Sequence, residues 1–430
     1  MQPNLDLPTL TKQLKTGELP LAEYLAETLE LIDHTEPIIH ALLPEPNRKQ
    51  RYWQAAKVLL AKYPDPASRP PLFGVLIGVK DLFNVDGLPT RAGSKLPATA
   101  FTGKEAEIVT RLKNLGAIVL GKTVSTEFAY FSPGETCNPI NPLHTPGGSS
   151  SGSAAAVAAG YCPVALGTQT IASIIRPASY CGVYGYKPSW GIVSTAGVFP
   201  FSQAADHVGF ITNTLDTLLL LAHSLGIIPS ISRTQPVPGL GAVRGTFLMQ
   251  ASECVRAEYD RCLEKLGSNG FRLVTLDPFG DIEQINSSHR KLIAAEFALN
   301  HKTLYSKYAG LYSRFSQELY SQGLKVNRIE LEELRLASIE LRERIGKIMK
   351  ENEIDLWLTP STTSTAPLGL DSTGSPLMSL PWTNAGLPSI TIPSGFDEQG
   401  LPFGLQIISL MGYDKNMIIG TRKVAEVLYN

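Results

Sequence analysis

Serine-bearing loops rich in glycine and other small residues, with a lysine upstream at the end of an apolar run, are the features of this chain whose residue types could do chemistry. Residues 147–152 read Gly-Gly-Ser-Ser-Ser-Gly, and residues 170–178 read Thr-Ile-Ala-Ser-Ile-Ile-Arg-Pro-Ala. A small-residue helical run, Ser153 to Ala159, and a short apolar strand, Pro163 to Leu166, lie between them, so the two loops can fold back to meet. Covalent serine catalysis needs such a meeting: a nucleophile, a proton-transfer partner and backbone N–H groups aimed at one point. Upstream, residues 73–79 (Phe-Gly-Val-Leu-Ile-Gly-Val) form a continuous apolar run ending in Lys80-Asp81. Runs of this kind belong to strands buried on both faces. A lysine at such a strand end either snorkels into solvent, as most do, or is desolvated into a base. The two serine loops favour the base.

The elements that must position these groups follow from periodicity and punctuation. Residues 8–33 pattern as two helices with a turn at 17–20, Leu21, Leu25, Leu29 and Ile32 forming the apolar stripe. A helix over 49–63 stops at Pro64-Asp65-Pro66, and an amphipathic helix over 105–115 leads into Gly-Ala-Ile-Val-Leu-Gly-Lys-Thr at 116–123. That octapeptide matches a phosphate loop in form. Its Ala-Ile-Val-Leu core is itself a strand, not a loop offering N–H groups, and Gly116 ends the helix before it. The phosphate reading is therefore set aside. Gly148 to Gly152 likewise fits a nucleophile elbow around Ser150, but residues 138–146 hold three prolines and cannot be the strand an elbow requires.

Farther on, Leu218 to Ile228 is too short to span a bilayer. It reads as a buried helix with Asp216 as its N-cap. Strand-and-turn segments are expected at 182–188 and 191–197. His207 directly follows Asp206, too close in sequence for the carboxylate-to-ring geometry of a Ser–His–Asp system, and is read as structural. Residues 229–330 carry short strands, such as Phe271 to Leu276, and polar helices without a readable motif. A charged helix follows over 327–351, then strands near 355–360, after 384–388 and at 400–406.

Composition sets the outer bounds. The chain has 430 residues, 43% hydrophobic and 18% charged, with net charge −1, and no linker or repeat divides it. Near-neutral charge without a basic run gives no electrostatic ground for nucleic acid or an acidic membrane as partner. The N-terminus lacks the basic and apolar regions of a secretory signal. The cysteines, 137, 162, 181, 254 and 262, are odd in number and lack C-x-x-C spacing, which disfavours disulfide and zinc frameworks alike. Reduced thiols and a cytoplasmic location are expected, with Cys181, close to Ser173 in sequence, read as packing.

The two loops and the strand-end lysine together resemble the amidase signature family, whose members hydrolyse amides with a Ser–Ser–Lys triad. On that resemblance Ser173 is the nucleophile, Ser149 the bridging serine at a cis peptide bond, and Lys80 the base. The backbone N–H groups of Thr170, Ile171, Ala172 and Ser173 would receive the oxyanion, with Ser150 and Gln169 placed among the substrate and oxyanion contacts. The resemblance runs through about residues 10 to 425 and is weakest between 229 and 350. It implies an α/β fold: one domain spanning 1–430, a large mixed β-sheet covered by helices on both faces, and a variable segment at about 229–350 expected to cap the substrate. It also implies no cofactor and no metal, a small-molecule amide as partner, and room for a homodimer.

Four departures from the family loops bear on chemistry. Gln169 stands in place of an aspartate, Ile171 and Ala172 in place of two glycines, Ile175 in place of an arginine with Arg176 one position later, and Ser151 in place of a glycine. Either residue 171 has ordinary dihedrals, or the oxyanion geometry is altered. Loss of the arginine points to a neutral or apolar acyl group, and so to a small carboxamide, urea-like or aryl amide. Two other readings stand beside it: the amidase subunit of a glutamine-dependent tRNA amidotransferase, and a catalytically impaired family member acting as a binding protein.

Overall fold

The computed structural model describes residues 6–229 and 237–429. Ten strands form one sheet: β1 Leu76–Lys80, β2 Ile118–Thr123, β3 Val164–Gln169, β4 Tyr184–Lys187, β5 His207–Thr212, β6 Leu240–Val243, β7 Leu273–Leu276, β8 Leu356–Pro360, β9 Ser389–Phe396 and β10 Pro402–Ile408. Their order across the sheet is β2-β1-β3-β5-β4-β9-β10-β8-β6-β7. β1 lies parallel to both β2 and β3, and β6 parallel to β7 and β8, while the strands between them pair antiparallel. β1, β2 and β3 are buried along their whole length, as parallel strands sandwiched between helices must be. The fold is the single α/β domain with a large mixed sheet that the family resemblance implied.

Local expectations hold in most places. Helices at Leu7–Thr16, Leu21–Ile39, Arg48–Lys62 and Glu107–Asn114 lie where the periodicity put them. Gly121 and Lys122 lie inside β2, so the phosphate-loop match is strand. Two expectations need correction. The helix Leu215–Ser224 is capped by Thr214, whose hydroxyl accepts from Thr217 N–H, and Asp216 sits in its first turn. Residues 191–197 form turns without a strand. Positions 230–236 of the segment without a motif lie outside the described residues. The remainder of that segment is not separate from the core, since β6 and β7 extend the same sheet. Its long helix, Ile282–Tyr308, packs against the helices Arg314–Gly323, Arg328–Glu351 and Leu380–Asn384.

The helix Ser151–Ala158 shows why a run of Ser, Gly and Ala is needed where it lies. It packs against β1, β2, β3 and β5, and a Cβ on Gly152 would sit 2.2 Å from the Ala41 carbonyl oxygen and 2.3 Å from Val124 N. Small side chains let this helix, and the serine loop at its start, sink onto the ends of the parallel strands. Lys80 closes β1, and Ser173 follows the end of β3. The sheet thus delivers both to the same end.

Candidate active site

Lys80 is fully buried, and its amine meets only oxygens without formal charge: Ser149 Oγ at 2.7 Å, Thr168 Oγ1 at 2.8 Å and the Thr168 carbonyl at 3.4 Å. Among the described residues no carboxylate lies within ion-pairing distance of it. Burial drives its pKa well below the usual lysine value, with the charge of Asp206 opposing that shift. A neutral amine has two N–H donors and one lone pair. Here Lys80 Nζ donates to Ser149 Oγ and to the Thr168 oxygens, and loss of its proton would free a lone pair directed at the Ser149 hydroxyl.

Ser149 follows a cis peptide bond from Gly148, as the resemblance implied. Its carbonyl accepts from Thr126 N–H at 3.2 Å, and the Gly148 carbonyl accepts from the Arg176 guanidinium at 2.8 Å. Ser150 N–H donates to the Ser173 carbonyl at 3.3 Å, which ties the two serine loops together. Ser150 itself is fully buried with its hydroxyl 3.3 Å from the Thr168 carbonyl, so its side chain serves packing within the loops. Ser149 and Ser173 line one narrow cavity of about 10 Å³, room for about one water. Ser173 Oγ has no hydrogen-bond partner among the described residues. None of the N–H groups of Thr170, Ile171, Ala172 and Ser173 donates to a protein acceptor among them either. Buried N–H groups left open in this way are what an oxyanion needs.

The altered loop residues find physical accounts. Neither Ile171 nor Ala172 has a left-handed backbone; the described non-glycine residues with positive φ are His40, Ala92, Phe128, Ala129 and Glu353. The loop therefore takes ordinary dihedrals, and Ile171 adds an apolar wall to the cavity. Gln169 accepts from Ile174 N–H and Ile175 N–H at 2.8 and 3.0 Å, and donates to Thr383 Oγ1 at 2.9 Å. A neutral amide can do both, where a carboxylate could only accept. Arg176 bonds the Gly374 carbonyl at 2.7 Å and Thr373 Oγ1 at 3.1 Å besides Gly148, so its guanidinium is committed to the backbone around the site.

His207 takes no part in a serine relay. Its Nδ1 lies 2.7 Å from the Ala205 carbonyl. The Asp206 carboxylate is held instead by Thr170 Oγ1 at 2.6 Å and by the N–H groups of Phe201 and Ser202 at 2.8 and 3.0 Å. Several side chains at the site carried no sequence signal. His289, from the long helix, places Nε2 3.0 Å from the Thr170 carbonyl. Glu127 accepts from Ser313 N–H at 3.0 Å and from Ser316 Oγ at 2.6 Å, anchoring the segment whose Ala129, Tyr130 and Phe131 line the Ser173 cavity.

The sequence matches the family model described as Amidase over residues 23–418. The chain belongs to the amidase signature family. It is 30% identical over 461 residues to a glutamyl-tRNA(Gln) amidotransferase subunit from Synechococcus sp. (strain RCC307), covering 92% of each chain. To the identically named subunit from Prochlorococcus marinus (strain MIT 9303) it is 31% identical, over 93% of this chain and 92% of the other. A solved structure described as an amidase superposes with a TM-score of 0.88 at 28% identity, covering 98% of this chain and 99% of that one. This amidase is accordingly an enzyme acting on amide C–N bonds. No described helix is long and apolar enough to cross a membrane.

Proposed function

We propose that this amidase hydrolyses a small carboxamide with an uncharged acyl group, urea-like or aryl amides included, through an acyl-enzyme on Ser173. The observation that carries the reading is the Lys80–Ser149 hydrogen bond beside a cavity lined by residues 170–173, whose N–H groups have no acceptor among the described residues. Ser173 Oγ attacks the amide carbonyl carbon while its proton moves to Ser149, whose own proton moves to Lys80. The oxyanion rests against the N–H groups of residues 170–173, each such donor being worth about 3–4 kcal/mol to the transition state. Collapse expels the amine, which takes the proton back through Ser149. Water, deprotonated along the same route, then cleaves the ester and frees Ser173 and the acid.

The relatives' names favour a second reading, glutamine hydrolysis within a multisubunit amidotransferase. Glutamine carries an ammonium and a carboxylate that its site must meet. The narrow Ser173 cavity is walled by Tyr130, Phe131, Ile171, Phe201 and Pro376, with no carboxylate among its described lining residues. Its one guanidinium, Arg176, is already bound to backbone oxygens and a hydroxyl. The larger cavity that adjoins it carries Glu107, Arg111 and Asp206, so the glutaminase assay decides between the two readings. A third reading, a binding protein without turnover, finds no support in the unstrained loop at Ile171. A fluorophosphonate probe is expected to label the wild-type protein at Ser173 and to leave Ser173→Ala unlabelled. An amide panel is expected to yield turnover on small neutral carboxamides without glutaminase activity. Equal labelling of Ser173→Ala would refute the assignment.

A further inference from the structure

A second, larger cavity of about 570 Å³ opens beside the narrow one, and the two share Ala129, Thr170 and Phe201 as walls. One half-buried carboxylate holds two of these three. The pairing of β3 with β5 sets Gln169 opposite His207, so Asp206 stands just beyond the strand end, facing Thr170. It binds the Thr170 hydroxyl at 2.6 Å and the Phe201 N–H at 2.8 Å. Thr170 is fixed from its other side by His289. Two residues back along the same strand, Thr168 holds the Lys80 amine. With Gln169 neutral, Asp206 is the carboxylate whose charge reaches Lys80.

We propose that Asp206 is a positioning residue of this site: its carboxylate fixes Thr170 and Phe201 where the two cavities meet, next to the stretch whose Thr168 holds the Lys80 amine. The proposal rests on the reading of Ser173 as nucleophile. Besides Thr170, Phe201 and Ser202, the groups around Asp206 are the adjacent His207 and the buried Glu296, which is itself paired with Arg335 at 2.6 Å. Lys187, brought to about 7 by burial, acts on His207 through its charge and is bound to the Leu387 and Pro188 carbonyls. Burial lifts the Asp206 carboxyl to about 6, so it is an anion at neutral pH. A nearby anion favours a protonated amine. Removing it must let Lys80 lose its proton at lower pH, and must leave a weaker base.

The test follows the rate of fluorophosphonate labelling against pH, together with the thermal melt. In Asp206→Asn, which keeps the shape and can keep the hydrogen bonds to residues 201 and 202, the rising limb is expected to move to lower pH and the plateau to fall about tenfold. In Thr170→Val, which cuts the link but keeps the charge, the plateau falls and the limb stays in place. An Asp206→Asn limb that stays at the wild-type pH, with only the melt lowered, overturns the proposal. If Asp206→Asn does not fold, Asp206→Glu carries the test: a lowered plateau with an unmoved limb is expected, and a limb moved downward overturns the role of the charge. Labelling that survives Ser173→Ala overturns the Ser173 reading and this proposal with it. Labelling lost in Ser173→Ala, with the Asp206→Asn limb unmoved, overturns this proposal alone.

Discussion

Two buried lysines at the ends of neighbouring strands show how one side-chain type is put to opposite uses. Lys122 on β2 meets Asp81 at 2.9 Å and Thr90 Oγ1 at 2.9 Å, an ion pair sealed from water. Lys80 on β1 meets hydroxyls and a carbonyl and has no ion partner. Burial lowers the pKa of both, but Asp81 works against that shift at Lys122 by contact and hydrogen bond, which suits the unpaired Lys80 better to the role of base proposed for it. The sign fixes the pH profile. Neutral Lys80 accumulates as pH rises through its depressed pKa, so Ser173 labelling should climb along a limb well below the ordinary lysine range and then level off. Lys80→Met should remove that limb and slow labelling by about 10²–10⁴-fold, the usual scale of a positioned general base. A limb unchanged in Lys80→Met would assign the base to another group.

At the scale of elements, the helix Ser151–Ala158 and the segment 124–131 bring the serine loop and the cavity wall into place. Gly152 lies under the Ala41 carbonyl and Val124 N with no room for a Cβ. Gly152→Ala should therefore cost about 1–3 kcal/mol through overpacking, read as a lower denaturant midpoint, and should slow labelling by shifting Ser149. An alanine variant as stable and as reactive as wild type would show that the helix can move off the strands at no cost. The serine loops were legible because chain-local patterns write them: glycines at the turn, small residues in the helix, and a strand before Lys80 and before Ser173. Glu127 was not legible, because its partners Ser313 and Ser316 lie far along the chain at the start of another helix. The same holds for His289 and Asp206. Their roles come from which elements the sheet brings together, and residues 229–350 carry no short motif that announces such contacts.

Across the whole molecule, the sheet gathers the site from distant parts of the chain, and the long helix Ile282–Tyr308 then buries imidazoles in its interior face. His289 and His301 on this helix and His207 on β5 are all buried, and burial lowers the pKa of each. His301 stacks on Phe297 with ring centroids 3.7 Å apart, bonds Tyr312 OH at 3.0 Å, and is pushed down to about 3. The unfolded chain binds protons at these positions from about pH 6.5 downward, while the folded chain does not. The stability they carry is thus present above 6.5 and lost progressively as pH falls toward the folded values. For His301 alone the loss at pH 5 is about 2 kcal/mol. Asp206 works the other way between 3.8 and about 6, since its folded form holds a proton that the unfolded chain releases, and Glu36, also raised by burial, adds to it, but two carboxyls oppose three imidazoles. The melting temperature should therefore drop between pH 7 and pH 5. His301→Leu, which keeps an apolar side chain among the aromatic rings, should flatten that slope. A melting temperature level across the range, or a slope unchanged in the leucine variant, would mean that these imidazoles take up protons inside the fold, and that the interior is wetter than its packing implies.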